Sequence, residues 1–215
     1  MCVNYTPVTR QGLDLFNTIV PPDAEWPAET WQDYPAPIIR RRADGARETL
    51  VGTYGMVPQK DIPAHVKKYS TMNARSEDIG SKRSYSKAWR EGQLCLVPMT
   101  CFFEPNWETG VHVRWEIRMR DQAPFAVAGL WRAKEDKNSG TFTHSFTQLT
   151  INADGHPVMD HFHRPNQEKR SLVIVPAADY DDWLDCRDPE LARAYLNLYP
   201  AKLMAAEPAP KITKA

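Results

Sequence analysis

The high proline content of this chain predicts short regular elements. The sequence has 18 prolines against 10 glycines, and proline lacks the amide hydrogen that helix interiors and central strands use. Many short elements joined by rigid connections are therefore expected. Hydrophobic residues make up 42% of the chain and charged residues 25%, which are ordinary values for a globular protein. At 215 residues, the chain suits one domain with a full hydrophobic core.

Strand patterns dominate the sequence. The run from Val111 to Met119 alternates apolar and polar residues, which predicts a strand with one solvated face. Ile38 to Arg42 and Glu48 to Tyr54 flank an Asp44-Gly45 step and predict a hairpin. The other strand-like runs are Cys2 to Tyr5, Leu94 to Val97, Phe102 to Glu104, Phe125 to Trp131, Phe142 to Ile151 and Ser171 to Val175.

Helical patterns are fewer and lie between the strand runs. Ser81 to Glu91 predicts a helix ended by Gly92, with Tyr85 and Trp89 on its inner face. A weak helix is expected over Gln11 to Ile19, an ordered loop over Pro21 to Pro37, and a further helix from Asp188-Pro189 to Leu198. The predicted fold class is α+β: a single compact domain over residues 1–203, with a curved, mostly antiparallel sheet and peripheral helices. Residues 204–215 are expected to form a loose tail.

Charge and cysteine usage exclude several classes of protein. Lysine plus arginine equal aspartate plus glutamate at 27 each, so any contact with nucleic acid must come from a local patch. Four cysteines at 2, 95, 101 and 186 form no Cys-x-x-Cys pair, which argues against structural zinc. The sequence has no signal-peptide core and no run of about 18 apolar residues, so we expect a cytoplasmic protein that does not enter the membrane.

Cys2 follows the initiator methionine directly. Trimming of Met1 would leave one residue that carries two nucleophiles, an α-amine and a thiol, whose reference pKa values are roughly 8 and 8.5. The amine can condense with an aldehyde, and the thiol can then close a five-membered ring on the same carbon. Alternatively, the amine can serve as the base for the thiol in acyl transfer. A frayed terminus without function is the alternative interpretation of Cys2 alone.

Three polar clusters add further candidates. Asn73 and Arg75 precede the predicted Ser81 helix, and Arg75 offers a planar group suited to phosphate, although a surface ion pair is equally consistent with this cluster. Glu104 follows two phenylalanines, so burial would raise its pKa and fit it for proton transfer; an outward-facing, ionised side chain is the alternative. Three histidines lie at 156, 161 and 163, and one histidine acting as a proton shuttle is a simpler interpretation than a metal site.

Basic and aromatic residues alternate through the first half of the chain. Arg40 to Arg42, Lys67-Lys68 and Lys82-Arg83 supply cations, and rings are supplied by Trp26, Trp31, Tyr54, Tyr69 and Trp89. Cations for the backbone and rings for the bases are the components of a single-strand groove. Each basic cluster taken by itself is equally well a solvated surface.

The motifs together resemble the SRAP (SOS response-associated peptidase) family. The resemblance rests on an ordered set that runs from Met1 to about Val175: Met1-Cys2, Asn73 to Glu77, Trp89 to Gly92, Cys95 to Pro98, Phe102 to Glu104, and His161 shortly before Arg164-Pro165. Each motif is weak alone, and their order makes the set specific.

The resemblance implies a barrel-like sheet and a function. Members of the family sense abasic sites in single-stranded DNA and form a covalent thiazolidine through the N-terminal cysteine. By position, Cys2 would be the nucleophile, Asn73 would orient the N-terminus, Glu104 would be the acid/base and His161 the proton shuttle. DNA contacts would come from Arg75, Tyr54, Trp89 and Arg164. Self-processing peptidase and abasic-site lyase activities are also implied, with no metal or organic cofactor, in a monomer.

The sequence departs from the family pattern at several positions, and two rival functions remain. Val3-Asn4 replaces Gly-Arg, Cys101 replaces a glycine, Pro105 replaces a tryptophan, and Tyr54 stands where tryptophan is frequent. One rival is an N-terminal-nucleophile glutamine amidohydrolase, although such enzymes need an oxyanion donor pair, often Asn-Gly. The other is a non-covalent single-strand binding module, for which Cys2 would be dispensable.

Overall fold

Strands are the main regular elements of the computed structural model, which describes residues 2–137 and 139–211. Within these residues, eleven strands form one sheet: β1 Asn4–Pro7, β2 Pro35–Arg41, β3 Arg47–Tyr54, β4 Asn73–Arg75, β5 Leu94–Asn106, β6 Val113–Met119, β7 Phe125–Glu135, β8 Phe142–Asn152, β9 Arg170–Leu172, β10 Ile174–Val175 and β11 Met204–Pro208. The α-helices are short: α1 Ser86–Arg90, α2 Tyr180–Asp185 and α3 Pro189–Ala192.

Five of the strands close into a barrel. The hydrogen-bonded neighbours run β2, β3, β8, β7 and β5, and β5 returns to β2 where Ile39 lies opposite Leu96. Only the pairings of β8 with β3 and β4 are parallel among the described strand pairs; the others are antiparallel. The predicted α+β domain with a curved, barrel-like and mostly antiparallel sheet is therefore confirmed.

Two groups of buried apolar side chains fill the molecule. One group lies between the sheet and the helices and contains Trp89 of α1 and Trp183 of α2, whose indole nitrogen donates to the Cys95 carbonyl at 2.9 Å. The other contains Cys2, Tyr54 and many of the inward side chains of the barrel strands. The first cysteine of the chain is thus part of the core.

Several elements differ in extent from the sequence-based predictions. Leu94 to Val97 and Phe102 to Glu104 are not separate strands but parts of the 13-residue strand β5. The predicted Ser81 helix is reduced to the five residues of α1, because hydrogen-bonded turns occupy residues 78–85. Its inner face is as predicted, since Tyr85 and Trp89 are both buried. The Gln11 to Ile19 helix is a 3-10 helix over Gln11–Phe16.

The segment after Leu203 corrects a prediction. Met204–Pro208 is not a loose tail but strand β11, which pairs antiparallel with β6, and Met204 is 1% exposed. The backbone amide of Ala209 then donates to the carbonyl of Arg114 at 2.9 Å. Residues 212–215 of the predicted tail lie outside the described residues.

Gly129 lies in a closely packed part of the barrel wall. A Cβ added at Gly129 would lie 2.8 Å from the carbonyl oxygen of Thr147 and 2.9 Å from Sγ of Cys95. Both neighbours belong to paired strands, so Gly129→Ala should lower the free energy of unfolding by about 1–3 kcal/mol in urea titrations. Gly80→Ala is the control, because its nearest neighbour, Trp89 Cδ1, is at 3.5 Å; we expect a change within about 0.5 kcal/mol. Equal losses in both variants would contradict the packing argument.

Candidate functional site

Cys2 lies two residues before the start of β1, beside the C-terminal half of β5. In the β1–β5 pairing, Asn4 lies opposite Phe103, which brings Cys2 towards Glu104. The Cys2 side chain is 1% exposed, and its thiol donates to the Asn4 carbonyl at 3.3 Å. Burial raises the pKa of the Cys2 thiol, and the charge of Glu104 raises it further. Near neutral pH the thiol is therefore protonated.

The carbonyl oxygen of Cys2 lies within hydrogen-bond distance of two side chains. Asn73, the first residue of β4, donates its Nδ2 hydrogen to this oxygen at 2.6 Å. The hydroxyl of Tyr54, the last residue of β3, lies 3.1 Å from it and 2.9 Å from Oε1 of Gln148 on β8. Because β3 and β4 both pair with β8, three strands of the sheet position the first residue of the domain.

Glu104 and His163 form the acid/base part of the site. Glu104 is 3% exposed, and burial raises its pKa to about 7. The Nδ1 atom of His163 lies 3.5 Å from Oε2 of Glu104, and burial lowers the pKa of this imidazole to about 4. Near pH 7 the histidine is neutral and the carboxyl group is poised between its two protonation states. The pair can both give and take a proton.

The histidine that lies in the site is His163 and not His161, which was the residue expected from the sequence. His161 ends a 3-10 turn, is exposed, and bonds through Nδ1 to Oε1 of Glu108 at 2.5 Å. His163 has a φ of 69°, and its amide donates to the Pro105 carbonyl at 2.9 Å. This left-handed residue turns the chain, so the two rings diverge and only His163 contacts Glu104.

An open cleft of about 630 Å³ adjoins these groups. Glu104 and His163 line it, together with Val3 and Asn4 from the start of the chain. Its remaining walls are mainly cationic or aromatic: Arg75, Arg114, Arg164, Arg170, Trp31, Phe103, Trp107 and His112. A cleft with this lining fits an anionic ligand that also carries flat rings.

Trp107 is one of the aromatic residues that line the cleft. It stacks on His112 at 5.7 Å between ring centroids, with 23° between the planes, and the guanidinium of Arg164 lies 4.9 Å from its centroid. Neither Trp107 nor His112 was predicted from the sequence to be a binding residue. The signal was present, since Trp107 follows Glu104 by three residues near the end of β5.

Arg75 connects this cleft with a second groove. It lines both the cleft and a neighbouring depression of about 580 Å³ that also contains Tyr69, Lys82 and Arg83. Its guanidinium forms an ion pair with Glu168. The exposed position of Arg75 is suited to phosphate, but a phosphate would compete with Glu168 for it.

Two residues expected to contact DNA are buried. Tyr54 is fully buried and Trp89 is 2% exposed. The Tyr54 ring is stacked on Phe146 at 5.3 Å inside the sheet, and Trp89 packs between α1 and the strands. Neither ring can stack on a base in this conformation, whereas Arg164 and Arg75 both line the cleft.

No metal centre is formed by the described part of the chain. Among residues 2–137 and 139–211, no three histidine, cysteine, aspartate or glutamate side chains gather in a way that would hold an ion. In the same residues, no helix has the length and the apolar surface to cross a lipid bilayer.

Comparison with known proteins gives a family and a fold. Residues 17–213 match the model of the family described as SOS response associated peptidase (SRAP). A protein from Bordetella bronchiseptica of known structure is 33% identical and aligns over 98% of this chain and 100% of its own, with a TM-score of 0.87. A comparison with curated proteins found no match.

Two more distant structures share the fold. A protein from Bacteroides thetaiotaomicron is 19% identical, with a TM-score of 0.75 over 96% of this chain and 91% of its own. A phage-related protein from Bordetella bronchiseptica is also 19% identical, with a TM-score of 0.67 over 98% and 95% of the two chains.

The raised pKa of Glu104 predicts a change in stability with pH. The folded state holds the Glu104 proton more tightly than the unfolded chain, because the pKa is about 7 instead of 4.5. Ionisation of the buried carboxyl therefore penalises folding increasingly as pH rises from about 4.5 to about 7. Glu104→Gln has no such proton, so we expect it to gain stability relative to wild type across this window, by up to about 3 kcal/mol.

Glu108→Gln is the matched comparison for that titration. The hydrogen bond from His161 lowers the pKa of Glu108, so this variant should lose stability relative to wild type as pH rises through the acidic range. Urea unfolding of the three proteins at several pH values measures both trends. A Glu104→Gln difference that does not depend on pH would show that the carboxyl group is not desolvated.

Proposed function

This chain belongs to the SOS response-associated peptidase (SRAP) family, and on that basis we propose that it senses abasic sites in single-stranded DNA and bonds to them covalently through Cys2. The family description ties the protein to the SOS response, and so to DNA damage in general. Asn73 donates to the Cys2 carbonyl, the charge of Glu104 acts on the Cys2 thiol, and His163 lies beside Glu104. This arrangement supports the more specific function. A frayed terminus would have no reason to be held in this way.

The reaction joins one aldehyde, one amine and one thiol. The Cys2 amine attacks the aldehyde carbon of the opened abasic sugar, and water leaves as the imine forms. The thiol then adds to the imine carbon while its proton passes to the imine nitrogen, which closes a thiazolidine ring. The raised pKa of the thiol favours this order, with the amine reacting first. Met1, which lies outside the described residues, must be removed first, and self-processing is one route.

Glu104 and His163 move protons in this scheme. A carboxyl group with a pKa of about 7 can protonate the departing hydroxyl as the imine forms and then recover the proton. His163 is neutral at pH 7, so it can accept a proton from the attacking amine. The pair lies at the cleft, where the sugar would enter.

The residues that line the cleft would bind the DNA strand. Arg75 and Arg164 are placed to bind phosphates, and Trp107 offers a ring for a base next to the lesion. Recognition is local, which agrees with the balanced net charge of the chain. One chain supplies every group in this scheme, so we propose that the protein acts as a monomer.

Cys2→Ala tests the proposed chemistry. Wild type is expected to form an adduct with a single-stranded abasic oligonucleotide, with the mass of the Met1-free protein plus the oligonucleotide minus one water. Cys2→Ala keeps the amine but lacks the thiol, so it should form no stable adduct, although borohydride should trap its imine. Cys186→Ala removes a different free thiol and should react as wild type does.

The outcome separates the proposal from its rivals. An equal yield of stable adduct from Cys2→Ala, or none from wild type, would refute a Cys2 thiazolidine. Glutamine hydrolysis by wild type without an adduct would instead support an amidohydrolase. Reversible binding of DNA that does not depend on Cys2 would support a non-covalent module.

Paired substitutions test the assignment of the histidine. Asparagine tolerates a positive φ better than alanine does, so His163→Asn removes the imidazole with little strain at the φ of 69°. We expect crosslinking to slow by roughly one to three orders of magnitude, in the range of losing a general acid/base, with unchanged affinity for intact single strands. His161→Asn should remain within about threefold of wild type, since its ring bonds only Glu108 among the described carboxylates. The reverse pattern in single-turnover assays would return the role to His161.

A further inference from the structure

Tyr54 carries a hydroxyl group that apolar packing does not explain. Its ring is fully buried, lies edge-on to Tyr5 at 5.3 Å and is stacked on Phe146 at 5.3 Å. A phenylalanine would make these ring contacts equally well. A buried hydroxyl group costs free energy unless it is hydrogen-bonded, so its presence here points to its two polar neighbours, the Cys2 carbonyl and the Gln148 side chain.

We propose that Tyr54 is a positioning residue: oriented by Gln148, its hydroxyl donates to the carbonyl of Cys2 and holds the amine and thiol of Cys2 in place for ring closure. This inference rests on the proposed function. It assigns to Tyr54 a role inside the site, in place of the contact with DNA expected from the sequence.

The direction of the hydrogen bonds follows from counting protons. A tyrosine hydroxyl has one proton, so it can donate either to the Cys2 carbonyl or to the Gln148 side chain. The Asn73 side chain also interacts with this hydroxyl, but as a donor to it. As placed, Nε2 of Gln148 is buried and has no partner among the described residues. Turning the Gln148 amide end for end brings that nitrogen to the hydroxyl of Tyr54 and leaves the amide oxygen in its former place, and a buried carbonyl oxygen without a partner is more common in proteins than a buried N–H without one. The Tyr54 proton is then directed to the Cys2 oxygen at 3.1 Å.

Two donors on one carbonyl fix the orientation of the first residue. Asn73 and Tyr54 occupy the two lone pairs of the Cys2 oxygen from β4 and β3. The amine and the side chain of Cys2 are bonded to the same Cα as this carbonyl, so fixing the carbonyl fixes Cα and leaves rotation about the Cα–C bond as the main remaining freedom of the two nucleophiles. The hydrogen bond from the thiol to the Asn4 carbonyl limits that rotation. With the Asn73 hydrogen bond alone, the Cys2 carbonyl could still rotate about that one bond.

Tyr54→Phe removes this donor, and Tyr5→Phe is its matched control. Tyr5 is as deeply buried as Tyr54, and its ring contacts the Tyr54 ring. The described hydrogen bonds to the Cys2 carbonyl come from Tyr54 and Asn73 and not from the Tyr5 hydroxyl. Protein that begins at Cys2, labelled with ¹³C at the cysteine carbonyl, is compared by NMR. We expect the Cys2 carbonyl resonance to move in Tyr54→Phe and to stay in place in Tyr5→Phe.

Single-turnover crosslinking to an abasic oligonucleotide provides the functional readout. Tyr54→Phe should lower the maximal rate about tenfold, the scale of one lost hydrogen bond, while the protein concentration at half-maximal rate stays unchanged. Tyr5→Phe should keep both values. A loss of packing alone would slow the two variants similarly.

The following results would contradict the inference about Tyr54 or the proposed function. A carbonyl resonance that does not move in Tyr54→Phe overturns the inference, as does a rate equal to that of wild type or of Tyr5→Phe. If wild type forms no adduct, the proposed function fails, and the carbonyl resonance alone then decides whether Tyr54 holds Cys2.

Discussion

Backbone pairing along β5 is the interaction on which the rest of the molecule depends. The first half of this strand pairs with β7 and touches β2, which closes the barrel. Its second half pairs with β1 and β6 and carries Glu104. The strand that closes the barrel therefore also fixes the register between Cys2 and its carboxylate. Glu104 cannot change its position relative to Cys2 unless the backbone pairing of β5 with β1 and β6 is broken.

Desolvation sets the chemical state of this site. Burial favours the neutral form of every ionisable group, and it raises the pKa of Glu104 while lowering that of His163. The Cys2 thiol is held in its neutral form by the same cause. Near pH 7 the thiol and the imidazole are therefore neutral, while the carboxyl group is about half ionised. Glu104 is thus the member of the three that gains or loses a proton most readily near neutral pH.

The sequence was informative where a signal is local or ordered along the chain. Alternation predicted β6, an Asp-Gly step predicted the β2–β3 hairpin, and ordered motifs predicted the family. It failed where the answer depends on contacts between distant segments. His161 and His163 are told apart by the turn that the Pro105 carbonyl stabilises, and β11 forms because the edge of β6 is open to it. An aromatic residue in a sequence also does not tell which side of a sheet it will face, so Tyr54 and Trp107 could not be sorted into core and cleft.

The division of the site between core and rim has a consequence for how such proteins diverge. The groups around Cys2 belong to the barrel interior, where Tyr54 and Gln148 are fully buried, so substitutions there are constrained by folding as well as by chemistry. Trp107 and Arg164 lie at the cleft, outside the buried core, and can be exchanged with little effect on the barrel. Under the proposed function, preferences for flanking sequence or strand shape can therefore change at the rim while the groups around Cys2 stay the same.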